Sequence, residues 1–272
     1  MKPRPEFLFQ QFHLIMAQFT QRYAIVTGAN EGIGLEICGQ LACKGIMVVL
    51  TARDEKRGLE AVEKLKQSGL SNHVNFHQLD VTDPASIAAL ADFVKTKFGR
   101  LDRLVKNAGI AGAVIDDEAL KASSISATEL SDSPRIFNVA SGRGTLKYIP
   151  SEELKEAFRN VDSLTEEKLD EMMTEFLKDF KEGALEIKGW PIHLPAYTVS
   201  KVGQITYTRL LAKRHPGCCI NSVCPGFVKT DINRNTGTLT VEQGAVTPIV
   251  LALLPKGSPS GLFYQQGEVA SF

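Results

Sequence analysis

Tyr197 and Lys201 stand four residues apart in the run Tyr-Thr-Val-Ser-Lys, so on a helix they share one face. An ammonium group beside a phenol favours the phenolate, which equips Tyr197 to give and take a proton near neutral pH. The pair alone also fits a chance surface contact. Ser141 follows an apolar stretch, residues 135–139 (Arg-Ile-Phe-Asn-Val), read here as a strand. It therefore falls at the carboxyl edge of a sheet, where open α/β sheets bind their ligands. Taken singly, Ser141 also fits a turn or capping serine; the combination of all three is harder to assign to accident.

The second constellation is Tyr-Ala-Ile-Val-Thr-Gly-Ala-Asn-Glu-Gly-Ile-Gly, residues 23–34. The apolar run Tyr23–Val26 suits a buried parallel strand, which needs no polar alternation. It breaks at Thr27 and Gly28, and a helical pattern begins at Gly32 with Ile33, Leu35, Ile37, Cys38 and Leu41. A strand, a glycine-rich turn and a helix N-terminus make an anion site, because backbone N–H groups and the helix dipole converge there. The spacing is Gly-x-x-x-Gly-x-Gly (Gly28, Gly32, Gly34), which by itself also fits an ordinary strand-to-helix turn.

These groups need elements to hold them, and the chain alternates accordingly. Strands are expected at 23–26, 46–51, 74–79, 101–105, 135–139, 218–224 and 261–265, the last closing the sheet. Helices are expected at 32–44, stopped by Gly45; at 54–67, with Leu59, Val62 and Leu65 inward; from Asp83-Pro84 to Phe98; and at 195–215. Such alternation implies an α/β fold with a doubly wound parallel sheet. The domain runs over 21–272, with residues 1–20 a loose extension expected to be poorly ordered. Residues 116–130 could supply one short crossover helix, since a crossover needs at least ~10–12 residues. Residues 150–190 form a helical insertion. Its stretch 151–186 carries 12 acidic and 5 basic residues, with an apolar stripe of Leu164, Leu169, Met172, Met173, Phe176, Leu177 and Phe180. The stripe fits either a surface helix packed on the body or a lid over the site.

Composition narrows the function classes. With 43% hydrophobic and 23% charged residues the 272-residue chain is ordinary for a soluble domain, expected in the cytoplasm. Lys+Arg and Asp+Glu are both 31, which gives no reason to expect nucleic acid or an anionic membrane as partner. No apolar run approaches the ~20 residues of a membrane span. The five cysteines (Cys38, Cys43, Cys218, Cys219, Cys224) lie in apolar runs without a Cys-x-x-Cys pair and read as buried thiols, with no metal site.

In order along the chain, Thr27-Gly-Ala-Asn-Glu-Gly-Ile-Gly34, Asp80-Val81, Asn107-Ala-Gly109, Ser141, Tyr197-x-x-x-Lys201 and Pro225-Gly226 resemble the short-chain dehydrogenase/reductase family. The resemblance covers nearly the whole chain from Arg22 onward. The extra residues between Ser141 and Tyr197 are similar to the plant salutaridine-reductase and menthone-reductase branch. It implies a single Rossmann-type domain with a helical insertion before the Tyr-x-x-x-Lys helix. It further implies that Tyr197 gives or takes the alcohol proton, Lys201 assists it and holds the nicotinamide ribose, and Ser141 hydrogen-bonds the substrate oxygen. Gly28, Asn30, Gly32, Ile33 and Gly34 would line the pyrophosphate site, Asp80 and Val81 would flank the adenine, and Asn107 and Gly109 would edge the ribose and nicotinamide. Pro225, Gly226 and Thr230 would meet the nicotinamide end. The second strand leads into Thr51-Ala52-Arg53 with no carboxylate before Asp54, which favours NADP(H) over NAD, although Arg53 also fits a helix-start salt bridge. The implied partner is a small hydrophobic ketone or aldehyde, terpenoid- or alkaloid-like, and the implied state a monomer.

Three departures stand against the resemblance. Glu31 places a carboxylate near the expected 2′-phosphate where the branch usually has lysine. Lys106 replaces the first asparagine of Asn-Asn-Ala-Gly. The stretch from Gly109 to Arg135 is short and carries no asparagine between Ala111 and Pro134, so the central crossover is shortened and apolar sheet surface would be uncovered. This motivates an alternative in which the chain binds dinucleotide or a partner without turnover. A nucleotide-sugar epimerase fits poorly on glycine spacing.

Overall fold

The computed structural model describes residues 21–109 and 130–272. The expected extension at 1–20 lies outside the described residues, as does the expected helix at 116–130 except Leu130, which opens β5 instead, and as does the asparagine-free stretch up to residue 129. In chain order the elements are β1 (Tyr23–Val26), α1 (Gly32–Cys43), β2 (Met47–Ala52), α2 (Glu55–Leu65), β3 (Val74–Gln78), α3 (Pro84–Phe98), β4 (Leu101–Lys106) and β5 (Leu130–Val139). They continue with α4 (Glu152–Arg159), α5 (Glu166–Glu182), α6 (Pro195–Arg214), β6 (Cys219–Cys224), α7 (Val241–Leu253), β7 (Phe263–Gln265) and β8 (Glu268–Ala270).

The eight strands form one sheet in the order β3-β2-β1-β4-β5-β6-β7-β8, parallel except for β8. The chain runs outward from β1 to β3, then restarts at β4 on the other side of β1. The strand order therefore reverses between β1 and β4, and the crevice at their carboxyl ends is the ligand site of a doubly wound sheet. Local chemistry agrees with these boundaries. Asp54 caps α2 by accepting from the Arg57 N–H at 2.9 Å, and Asp83 caps α3 from Ala85 at 3.0 Å with Pro84 at its first turn. Gly99, in the left-handed region at φ 71°, ends α3.

One sheet face buries Ala24, Val26, Val48, Leu50, Val105 and Phe137 against α1 and α7. The other face buries Ile25, Val49, Leu101 and Leu104 against Leu90 and Val94 of α3. A third cluster lies outside α6, where Leu169, Met172, Met173 and Phe176 of α5 pack with Phe158, Trp190, Val199, Val202 and Leu210. There Trp190 Nε1 donates to the buried Asp179 carboxylate at 2.8 Å. The insertion is thus packed on the body along α6.

Several expectations need correcting. Leu59, Leu177 and Phe180 face solvent rather than the core, because the buried arcs of α2 and α5 are narrower than their apolar stripes. Helix α7 was not expected. After Glu242 and Gln243 its run from Gly244 to Leu253 is apolar on nearly every side, with Thr247 the one polar residue, and holds Pro248 inside, which hides any period. The sheet is closed not by residues 261–265 but by β8, which turns back antiparallel to β7. Cys43 is exposed, and Cys218 and Cys219 are only partly buried, so the buried-thiol reading holds for Cys38 and Cys224. No described helix is long and apolar enough to cross a membrane.

Candidate active site

The glycine turn sits between the ends of β1 and β4. Gly28 adopts φ +60°, and a Cβ there would lie 2.7 Å from Ala108 Cα. Gly34 has even less room, since its Cβ would fall 2.5 Å from Asn107 Nδ2 and 2.7 Å from the Gly28 carbonyl. The close approach has a purpose within the fold. Asn107 Nδ2 donates to the carbonyls of Thr27 (3.0 Å) and Gly28 (2.9 Å), while Asn107 and Ala108 N–H groups donate to Thr27 Oγ1 at 3.0 and 2.9 Å. The Asn107 amide is committed to holding the turn, a positioning role that the sequence does not disclose. Ala29 N–H donates to the Thr51 carbonyl at 2.8 Å, which ties the turn to β2 as well. Asn30 and Ile33 are half-buried in and after the turn, and Glu31 at the start of α1 makes no side-chain cap, so the helix N-terminus keeps its donors for an anion. Thr230, from beyond β6, packs its methyl 3.3 Å from where a Cβ on Gly32 (φ +56°) would stand.

At the ends of β5 and α6 the second group assembles. Ser141 lies just beyond β5 in extended backbone and its Oγ accepts from the Arg143 N–H at 3.2 Å. The short turn that follows is pressed against α6: a Cβ on Gly144 would lie 2.6 Å from the Lys201 carbonyl oxygen. Tyr197 and Lys201 share one face of α6, with Lys201 Nζ 6.0 Å from the phenol ring centroid. The Lys201 ammonium donates to the Val139 carbonyl (3.2 Å) and to Gln204 Oε1 (3.0 Å), so it is anchored to the strand that delivers Ser141. Burial pushes this lysine down to about 8. The loop entering α6 is held by Arg143, whose guanidinium donates to the His193 carbonyl at 3.0 Å and covers the Tyr148 ring at 4.3 Å. Leu194, in the left-handed region at φ 49°, starts the helix ahead of Pro195.

The remaining expected residues frame the same edge. Asp80 and Val81 follow β3; the Asp80 carboxylate is held below its ordinary range by hydrogen bonds from the Thr82 hydroxyl and N–H, helped by the Arg53 charge. Arg53 is exposed at the exit of β2, and Asp54, which it could have paired with, is engaged in capping α2. Glu31 forms an ion pair with Arg57 at 2.5 Å. Pro225 and Gly226 follow β6, and Gly226 (φ +88°) leaves no space for a Cβ beside Leu239, 2.4 Å away. Gly109 is exposed at the end of the described β4 loop. Lys106 is pushed down to about 8 by burial, partly offset by the Glu166 charge. Three site-building residues escape a reading of the sequence: Gly144, Arg143 and the amide of Asn107. Their partners lie 50 to 80 residues away, and only the repeated glycines of Ser-Gly-Arg-Gly hint at the first.

Comparisons with known proteins bear on the fold and the family. A family model described as short chain dehydrogenase matches residues 22–148. Short-chain dehydrogenase/reductase 1 of Saponaria officinalis is 51% identical, over 93% of this chain and 96% of its own. That alignment runs over 291 positions yet draws on 93% of a 272-residue chain, so about 38 positions of the relative have no counterpart here. The solved structure of salutaridine reductase from Papaver somniferum superposes with a TM-score of 0.84 at 43% identity, covering 90% of this chain and 99% of that one. Menthone neomenthol reductase from Mentha piperita does so with a TM-score of 0.81 at 40% identity, covering 92% and 100%. With its doubly wound sheet and relatives matched almost end to end, the chain belongs to the short-chain dehydrogenase family.

Proposed function

We propose that this protein is an NADPH-dependent reductase that converts the carbonyl of a small hydrophobic ketone or aldehyde, terpenoid- or alkaloid-like, to an alcohol. The observation that carries the reading is the gathering of Ser141, Tyr197 and Lys201 at one carboxyl edge, with Lys201 tied to the end of β5. The residues fit the dinucleotide. Gly28, Gly32 and Gly34 leave a cradle that side chains would fill, and the uncapped start of α1 offers N–H donors to a pyrophosphate. Asn30 and Ile33 line the same turn; Asp80 and Val81 are assigned to the adenine end; Asn107, Gly109, Pro225, Gly226 and Thr230 are assigned to the nicotinamide end. Arg53 is the cation for a 2′-phosphate. Bound NADPH supplies the hydride. Tyr197 donates its phenolic proton to the substrate oxygen as negative charge builds there. Ser141 already accepts through Oγ and keeps its own proton to donate to that oxygen. Two of the three Lys201 donors are occupied, and the third is assigned to the ribose, with the ammonium charge beside Tyr197 favouring its phenolate.

A hydrophobic substrate is supported by Ile192 and Leu194 before α6 and Phe227 and Ile232 after β6, each more than half exposed in loops at this edge. The monomeric state is supported by α5, which occupies the outer face of α6; light scattering on the purified protein measures it. The function is tested by following NADPH oxidation with a panel of hydrophobic ketones and aldehydes. Tyr197→Phe is expected to lower turnover by ~10²–10⁴-fold while NADPH still binds. Undiminished turnover in that variant removes Tyr197 from its role, and NADPH binding without turnover across the panel assigns the chain to nucleotide binding alone.

A further inference from the structure

The glycine turn and the exit of β2 carry a charge arrangement that the catalytic reading leaves unused. Glu31 occupies the position before α1 in extended backbone, where its side chain could cap the helix, but it makes no cap hydrogen bond. Its carboxylate instead reaches across to Arg57 Nη2 in the first turn of α2, at 2.5 Å. Both side chains are about half exposed, 49% for Glu31 and 54% for Arg57. The two segments are fixed relative to each other by the Ala29 N–H bond to Thr51 and by the β1–β2 pairing. Arg53 stands exposed at the same exit, four residues before Arg57 on the chain. At the mouth Glu31 thus neutralises Arg57, while Arg53 feels the charge of Asp80, a carboxylate already held by the Thr82 hydroxyl and N–H.

We infer that Glu31 is a specificity-determining residue that weakens the preference for NADPH over NADH. The inference rests on the dinucleotide reading proposed above. A phosphate on the ribose 2′-oxygen is drawn to Arg53 and Arg57 but must compete with Glu31 for Arg57 and meets the repulsion of its charge. A 2′-hydroxyl has the opposite response, since a carboxylate accepts a hydrogen bond from it. An exposed ion pair is worth little in isolation, so Arg57 is readily taken by a ligand, and the residual effect of Glu31 is a bias of modest size.

Dissociation constants for NADPH and NADH, measured by calorimetry or nicotinamide fluorescence on the full chain, test this without any substrate. Glu31→Gln is expected to tighten NADPH by ~3–10-fold and to leave NADH unchanged or weaker, a rise in the preference ratio of at least ~3-fold, with each tenfold worth ~1.4 kcal/mol. Arg57→Gln is expected to weaken NADPH by a similar factor, and the double variant to weaken it less than Arg57→Gln alone. Because the groups are exposed, the gap between wild type and Glu31→Gln shrinks in high salt. A folded Glu31→Gln protein whose NADPH-to-NADH ratio stays within about twofold of wild type overturns the role of Glu31 while leaving NADPH binding intact. A wild-type protein that binds neither dinucleotide overturns the cofactor reading and this inference together.

Discussion

Gly144→Ala is the most direct probe of how the reactive residues are spaced. The added Cβ would lie 2.6 Å from the Lys201 carbonyl oxygen, 2.7 Å from its carbonyl carbon and 2.8 Å from Ile205 Cδ1. The first two are backbone of α6, so no side-chain rotation relieves the contact; the turn after Ser141 and the helix must part. Overpacking of this kind costs ~1–3 kcal/mol. At ~2–4 °C per kcal/mol for a domain of this size, the melting temperature should fall by several degrees. The catalytic loss is expected to be larger, because the turn carries Ser141 and the helix carries Tyr197 and Lys201. A misplacement of ~1 Å between reacting groups can cost ~10²-fold in rate. The expected result is therefore a kcat reduced by ~10–10²-fold in folded protein, with a smaller loss of NADPH affinity because Lys201 moves while the glycine turn lies elsewhere. Gly142→Ala is the control, since its Cβ would meet nothing nearer than Gln265 Oε1 at 3.4 Å. Steady-state kinetics with any carbonyl the wild type reduces, beside thermal melts of both variants, decide the matter. A Gly144→Ala protein that melts lower yet keeps wild-type kcat would show that the contact stabilises the fold without setting the spacing. One that loses neither refutes the reasoning.

Other expectations follow from the same contacts. Asn107→Ala removes two hydrogen bonds to the glycine turn; at ~1 kcal/mol each, NADPH affinity measured by titration should fall by ~5–30-fold. Trp190→Phe leaves the Asp179 carboxylate, 3% exposed, without its indole donor. That should destabilise the fold by ~1.5–3 kcal/mol in urea titrations and leave the kcat of folded protein near wild type. Lys201 titrates at about 8 when folded against an ordinary value of 10.5. The unfolded chain then binds more protons between those two pH values, so the penalty of burying this lysine is full below pH 8 and fades as pH rises to 10.5. Relative to Lys201→Met, the wild type should gain up to ~3 kcal/mol of stability across that window, read from urea unfolding at its two ends. A flat difference between the two proteins would contradict the burial of the ammonium.

The parts of this protein legible in the sequence are those encoded locally. A parallel strand buried on both faces reads as an apolar run, as in Tyr23–Val26, and the glycine turn declares itself because backbone must approach backbone there. Tyr197 and Lys201 were legible because four residues on a helix is a fixed geometric step. The contacts that place them were not, because each joins residues far apart on the chain. Arg143 meets the His193 carbonyl 50 residues on, and Glu31 meets Arg57 after 26. In the sequence Glu31 is only a discordant charge; its partner turns it into a determinant of cofactor choice. Helix α7 is hidden in the sequence although Thr240 and Gln243 form a reciprocal capping box, a local signal that the mostly apolar run beyond it obscures.

The short crossover that the sequence leads one to expect between β4 and β5 would bear differently on the site and on stability. Ser141 is positioned by β5, and β5 is held in register on both sides, by Leu104↔Ile136 and Lys106↔Asn138 toward β4 and by Asn138↔Ser222 and Val139↔Val223 toward β6. Lys201 adds a bond from α6 to the last carbonyl of that strand. These restraints come from the sheet and from α6, so the placement of Ser141 against Tyr197 does not depend on the length of the segment between residues 110 and 129. On the sheet face toward α3, Leu104 is buried and Ile136 only partly so. Loss of apolar cover scales at ~25 cal/mol per Å², a debit taken from the whole fold rather than from the reacting groups. Any uncovered apolar area on that face would therefore appear as a lower melting temperature, while the geometry that serves the reaction stays with the strands and the helix that hold it.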